Sequence, residues 1–268
     1  MPRSRRSTPK TDAPAIDERK FVTALGRGLE VLRCFNPRDR WLTNGEISVR
    51  TGLAKPTVSR IAYTLTRMGF LRDSGASRRY ALGAAAVSLG YTALTQLDIR
   101  RTARPLLHDL SQRTNASVHF AINDGVYMQI VDTYYNSAVF VVEVGSRVPM
   151  ATTSLGRAFF CALPGHERER RLEQLREHGP EDFPRTRRRF AEAVKFYEQH
   201  GFCIATGEWR RGVNGAAAPL DPGDGTAPMA IGCSGAAFQL GADLLRRDIG
   251  PRLVALVTNL SAKLAPQD

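Results

Sequence analysis

Apolar positions become periodic near Phe21. Leu25, Leu29 and Leu32 recur at i, i+4 and i+7, with Val31 and Phe35 beside them. That spacing predicts one buried face of a helix, which Asn36-Pro37 ends. Thr43-Asn44-Gly45-Glu46 spells a capping box, in which the Thr43 hydroxyl accepts from the Glu46 amide and the Glu46 carboxylate reaches back. A short helix follows to Thr51, and Gly52 supplies the permissive backbone that stops it. Pro56 marks the next start, because a first turn does not need its missing N–H. Val58, Ile61, Ala62, Leu65 and Met68 then form one apolar stripe before Gly69. Phe70-Leu71-Arg72, the turn from Asp73 to Ser77, and Arg78 to Leu82 read as a hairpin. Two short helices around Gly52-Leu53-Ala54, followed by a hairpin, predict a winged helix-turn-helix.

The remaining pattern is mixed. Residues 84–95 read as a helix with few charges, too apolar for a free solvated rod and therefore expected to pack against a partner copy. A helix over residues 100–113 follows. Strands are expected at 118–122 and 127–131 about the turn Asn123-Asp124-Gly125, at 138–144, at 202–206, near 216–220 and at 229–234. Helices are expected at 155–163, 167–177, 188–200 and 244–264. Helices interspersed among antiparallel strands predict an α+β second domain.

Composition supports two domains: 268 residues with 43% apolar and 24% charged positions suffice for two separate cores. No apolar run approaches the roughly 20 residues of a membrane helix, and the basic N-terminal segment lacks the apolar core of a secretory signal. A cytoplasmic protein without a membrane partner is expected. Cys34, Cys161, Cys203 and Cys233 are scattered and form no disulfide or zinc pattern. The five histidines have no metal-ligand spacing, and there is no Gly-x-Ser-x-Gly elbow. No cofactor, metal site or catalytic set is expected, and His119, alternating with Val118 and Phe120, reads as a core histidine.

Charge changes the picture more. The net charge is +12. Up to Gly83 there are 17 Lys+Arg against 7 Asp+Glu; beyond it, 21 against 19. Without residues 1–20 the first module still stands at +7. A basic module joined to a near-neutral one is the footprint of a nucleic-acid reader carrying a second function. From Ala54 to Arg72 there is no carboxylate. At 100° per residue, the side of the Pro56–Met68 helix opposite its stripe carries Ser59, Arg60, Tyr63, Thr64 and Arg67. Lys55 and Thr57 sit at its amino end, which in helix-turn-helix proteins enters the major groove, where Arg60 could take a guanine edge. Thr43, at the start of the preceding helix, joins the candidates, as do Arg78 and Arg79 of the hairpin. Double-stranded DNA is the implied partner.

The chain resembles the IclR family of bacterial transcription regulators over about residues 21–265. The resemblance rests on Ala24-Leu25-Gly26-Arg27-Gly28-Leu29-Glu30-Val31-Leu32 and on Thr51-Gly52-Leu53-Ala54-Lys55-Pro56-Thr57-Val58-Ser59-Arg60. Further on it rests on Gly145-Ser146-Arg147-Val148-Pro149, Ser154-Leu155-Gly156-Arg157-Ala158, Glu208, Gly212-Val213, Ala217-Ala218-Pro219 and Cys233-Ser234-Gly235. Composition makes residues 1–20 an expected disordered basic tail, and the pattern makes 21–83 a winged helix-turn-helix domain and 84–98 a linker helix; the resemblance implies that 99–268 is a GAF-like effector-binding domain. It further implies homodimers or tetramers on a palindromic operator, and a small-molecule effector, an organic acid, controlling a catabolic operon. By position, the implied pocket residues are Thr153, Ser154, Leu155, Ala205, Gly215, Gly232 and Ser234. Family members that bind small keto acids tend to carry an acidic residue, a cysteine and a serine where this chain has Ala205, Gly215 and Gly232. Smaller side chains there imply a roomier, less polar pocket and a larger, ring-derived carboxylate, unless the glycines only serve strand packing. Two other classes stay open: a winged-helix adaptor for proteins without a ligand, and an enzyme with an incidental basic N-terminus. DNA binding that falls steeply with salt would separate the first reading from both.

Overall fold

The computed structural model describes residues 19–135, 141–223 and 225–264. Most of the expected 1–20 tail therefore lies outside the described residues. Contacts divide the chain into two units, 1–96 and 97–268.

The first unit runs α1 (Thr23–Arg33), β1 (Leu42–Thr43), α2 (Asn44–Thr51), α3 (Lys55–Arg67), β2 (Leu71–Asp73), β3 (Arg79–Leu82) and α4 (Ala84–Thr95). Its small sheet has the order β1-β3-β2, antiparallel throughout. The local signals explain the helix ends. Thr43 and Glu46 form the reciprocal capping box, and Gly52 ends α2 at φ 71°. Pro56 lies in the first turn of α3. A Cβ on Gly83 would come within 2.2 Å of the Gly69 carbonyl oxygen, so glycine is required where the wing returns beneath α3. Val31, Leu42, Ile47, Val58, Ala62 and Leu71 build the core. Three residues of the apolar stripes lie elsewhere: Leu25 is 61% exposed, Leu29 51% and Met68 61%. They line an open groove between α1, α3 and α4 instead of the core of their own unit.

The second unit runs α5 (Asp98–Thr114), β4 (Ser117–Asp124), β5 (Tyr127–Tyr134), β6 (Arg147–Pro149), α6 (Ser154–Ala162), α7 (Gly165–His178), α8 (Phe183–His200), β7 (Cys203–Thr206), β8 (Val213–Leu220), β9 (Met229–Ala236), α9 (Ala242–Leu244), a π turn (Leu245–Ile249) and α10 (Gly250–Leu264). One six-stranded sheet has the order β6-β5-β4-β9-β8-β7, every pair antiparallel. Successive residues of a strand face opposite sides. On β9, Gly232 faces Leu155 of α6, whereas the Cys233 thiol meets Thr114 of α5. Helices thus cover both faces of the sheet. A Cβ on Gly156 would sit 2.2 Å from the Met150 carbonyl oxygen, so α6 rests directly on the backbone leading into it.

Two expectations need correction. Of the strand expected at 138–144, residues 138–140 lie outside the described residues and 141–144 form no strand. The chain instead turns at Glu143–Ser146, with Gly145 at φ 88°, and β6 pairs with β5 afterwards. The closing helix is interrupted by the π turn over Leu245–Ile249.

Candidate nucleic-acid interface and ligand cavity

Burying Val58 and Ala62 turns the opposite side of α3 outward. Lys55, Ser59, Arg60, Tyr63, Thr64 and Arg67 are exposed, Tyr63 at 68%, and Thr57 is half-buried. Among the described residues Lys55, Arg60, Arg67 and Arg78 make no salt bridge, so their charge remains available to a polyanion. The polar groups between them are organised. Asn44 Nδ2 donates to Ser59 Oγ at 2.7 Å, tying α2 to α3. Thr64 Oγ1 donates to the Arg60 carbonyl at 3.1 Å.

Thr43 belongs to the cap: its hydroxyl accepts from the Glu46 amide at 3.2 Å and donates to Glu46 Oε2 at 2.8 Å. Hydrogen bonds from the Thr43 backbone and side chain hold the Glu46 carboxyl below its ordinary pKa. Arg79 lies opposite Thr43 across the β1–β3 ladder, which brings the base of the wing to the start of α2. Arg78 is exposed on the turn, in the left-handed region at φ 47°. Sequence reasoning missed Arg72, whose guanidinium stacks 4.8 Å over the Trp41 ring at the same sheet. It also missed Asn44, for which the capping box was the available signal.

In the second unit, Thr153, Ser154, Leu155, Ala205, Gly215, Gly232 and Ser234 come together on the wall of one open cavity, whose empty space of about 470 Å³ includes its solvent-filled mouth. Thr153 caps α6: its hydroxyl accepts from the Gly156 amide at 3.2 Å and donates to the Pro149 carbonyl at 2.7 Å. Ser154 and Leu155 open the helix and are buried. Among the described residues the Ser154 hydroxyl has no hydrogen-bond partner. The two glycines do not widen the cavity as their size suggests. A Cβ on Gly232 would meet Ala217 Cβ at 2.9 Å and Leu155 Cδ2 at 3.0 Å, and one on Gly215 would meet Ser154 Oγ at 3.2 Å. The space they leave is taken by α6, which approaches the sheet closely.

His119 lines the same cavity, and both of its ring nitrogens are bonded, Nε2 to Ser234 Oγ and Nδ1 to Thr133 Oγ1, each at 2.8 Å. Burial drives its pKa down to about 4, so the ring is neutral near pH 7. Glu208 and Trp209, on the loop after β7, complete the wall. Among the described residues the Glu208 carboxylate is the charge in this lining, and two arginines neutralise it: Arg157 Nη2 donates to Oε2, and Arg189 Nε forms an ion pair with the same oxygen at 2.8 Å. Sequence reasoning put His119 in the core and read no contact for Glu208. Their partners come from distant parts of the chain.

Comparison with known proteins matches both units. Residues 24–75 match the IclR helix-turn-helix domain, and residues 91–262 match the bacterial transcriptional regulator IclR C-terminal domain. The chain is 31% identical over 248 residues to the HTH-type transcriptional regulator TsaQ1/TsaQ2 of Comamonas testosteroni, covering 91% of this chain and 89% of that protein. It is 28% identical over 225 residues to the Pca regulon regulatory protein of Pseudomonas putida, covering 80% and 74%. Among solved structures, an IclR family transcriptional regulator from Brucella abortus is 42% identical, with a TM-score of 0.80 over 92% of this chain and 94% of that one.

Proposed function

The chain belongs to the IclR family of transcriptional regulators, and from that premise we propose that it acts as a homodimer on a palindromic operator, released or remodelled by a small organic acid. Residues 21–83 read DNA, 84–98 link, and 99–268 hold the effector. One observation carries the reading: the outward side of α3 bears Lys55, Arg60 and Arg67 with no carboxylate among them and, among the described residues, no salt bridge to occupy them. A polyanion is the partner such a surface suits. Arg60 and Ser59 take base edges, with Tyr63, Thr57 and Thr64 beside them. Lys55, Arg67, Arg78 and Arg79 take phosphates or the minor groove, and Thr43 sets the start of α2 against the backbone.

The groove between α1, α3 and α4 supports the dimer. Leu25, Leu29, Met68 and Leu89 line this groove and are all more than half exposed. A contiguous apolar surface of this kind needs a cover, and a second copy presents the same face. Paired this way, two α3 helices meet half-sites about one helical turn apart, or a multiple of it.

The cavity supports an acid with a ring. Ile130, Val148, Leu155, Val213 and Trp209 give it apolar walls. Among the described residues no lysine or arginine lines it, so the carboxylate is met by the Ser154 hydroxyl and the positive end of α6. The ligand favours one arrangement of the dimer, and the linker helices pass the difference to the spacing of the reading helices. Selection from random duplexes followed by footprinting tests the core of this reading. Enrichment of a twofold-symmetric sequence with two protected patches is expected. Recovery of unenriched DNA would overturn it.

A further inference from the structure

Glu208 lines the cavity, and the two arginines that hold it line another pocket. That second pocket, open to solvent and of about 680 Å³ with its mouth included, lies among α8, the β7 edge strand, α9 and the π turn. Three guanidinium groups face it, from Arg157, Arg189 and Arg246, with one carboxylate, Glu192. Glu192 itself pairs outward with Arg188 along α8, at 3.8 Å.

The three cations are incompletely used. Arg157 is 7% exposed. It gives Nη1 to the Ile204 carbonyl at 2.8 Å and Nη2 to Glu208, while its buried Nε has no partner among the described residues. Arg189 forms an ion pair with Glu208 through Nε, and its terminal nitrogens are uncommitted among the described residues. Arg246 is carried on the π turn and lies 6.0 Å over the Phe196 ring, without a carboxylate partner among the described residues. One carboxylate thus serves two guanidiniums while a third stands by. Burial, with repulsion from Arg185 and Arg157, holds the Arg189 pKa below its ordinary value despite the attraction of Glu208 and Asp182. A π turn inside a helix is a costlier geometry than the α-helix around it and often marks a functional site.

We propose that this pocket is an anion site for a phosphate group, free or carried on a metabolite, formed by Arg157, Arg189 and Arg246 and coupled through Glu208 to the cavity in front. A phosphate group offers a double charge and several acceptor oxygens, which match convergent guanidinium forks better than a single carboxylate does. Phosphate that engages Arg189 and Arg157 withdraws donors from Glu208. Glu208 then presents uncompensated negative charge at the cavity wall and disfavours an acid there. By linkage, an acid in the cavity weakens phosphate by the same factor. This coupling rests on the effector reading above; phosphate binding itself does not.

The chain has two tryptophans, so full-length Trp41→Phe protein leaves Trp209, beside Glu208, as the sole reporter. Without DNA or effector, it is titrated with inorganic phosphate and with glycerol phosphate, against sodium chloride of equal ionic strength. A saturable change in Trp209 emission with either phosphate, absent with chloride, is expected. Arg246→Gln and Arg246→Glu, on the exposed π turn, should weaken it at least tenfold, while Arg101→Gln, exposed on α5 away from the pocket, should leave it unchanged. A response matched by chloride, or unaltered in both Arg246 variants, would overturn the site. Failure of the effector reading would instead appear as loss of any acid effect on DNA binding, with this titration intact.

Discussion

Lowering the pH should loosen the second unit through one side chain. His119 is 2% exposed, with Thr133 and Ser234 on its two nitrogens. Burial places its pKa at about 4 in the folded chain, against about 6.5 when unfolded. The unfolded chain therefore takes up the proton first. Stability from this source is complete above pH 6.5 and is lost as the pH falls toward 4. At 1.36 kcal/mol per unit the full loss is about 3 kcal/mol, and about 2 kcal/mol of it has gone by pH 5. For a unit of this size, 2 kcal/mol corresponds to roughly 4–8 °C in melting temperature. His119→Gln removes the titration and keeps a polar group between the two hydroxyls. Urea unfolding followed by Trp209 emission at pH 7 and pH 5 measures the difference. The variant should be less stable than the parent at pH 7 and should lose about 2 kcal/mol less between the two pH values. An identical pH dependence in both proteins would exclude His119 as the source, because carboxylate titrations are common to the two.

Gly156→Ala forces a methyl group onto the Met150 carbonyl and should cost on the order of 1–3 kcal/mol or more in urea unfolding of the second unit. Thr43→Ala removes the α2 cap and should cost about 1 kcal/mol of first-unit stability; its effect on DNA affinity should be uniform across sequences in a competition assay. Leu89→Glu puts a charge in the groove between α1, α3 and α4 and should convert dimers to monomers in sedimentation velocity. Arg60→Ala should weaken operator binding by about 1–3 kcal/mol and relax preference at one base pair; equal loss on every sequence would limit Arg60 to a phosphate contact.

What could be read in advance depended on how local its cause was. Thr43, Glu46, Gly52 and Pro56 act within a few residues, and the helices they bound stand where their spacing put them. β1 is two residues long and exists only through its ladder with β3, so no pattern in its own stretch announced it. Leu25, Leu29 and Met68 illustrate a different limit: periodicity says that a face is apolar, not which surface covers it. The cavity wall was assembled from family resemblance at seven positions. His119 was missed there because its partner Ser234 is 115 residues away. The glycines misled for a related reason. A missing side chain leaves space, but Leu155 and Ser154 fill it, and only the packing of α6 on the sheet reveals that.

The salt dependence of binding to a selected duplex is the decisive measurement. If the α3 side and the wing lie along DNA, the logarithm of the affinity should fall linearly with the logarithm of salt. Its slope should be several units, near 0.9 for each phosphate neutralised, and replacing Arg67 or Arg78 with Gln should each shallow it by about one. A flat response, or a slope indifferent to those replacements, would contradict the claim that this surface is shaped for a polyanion.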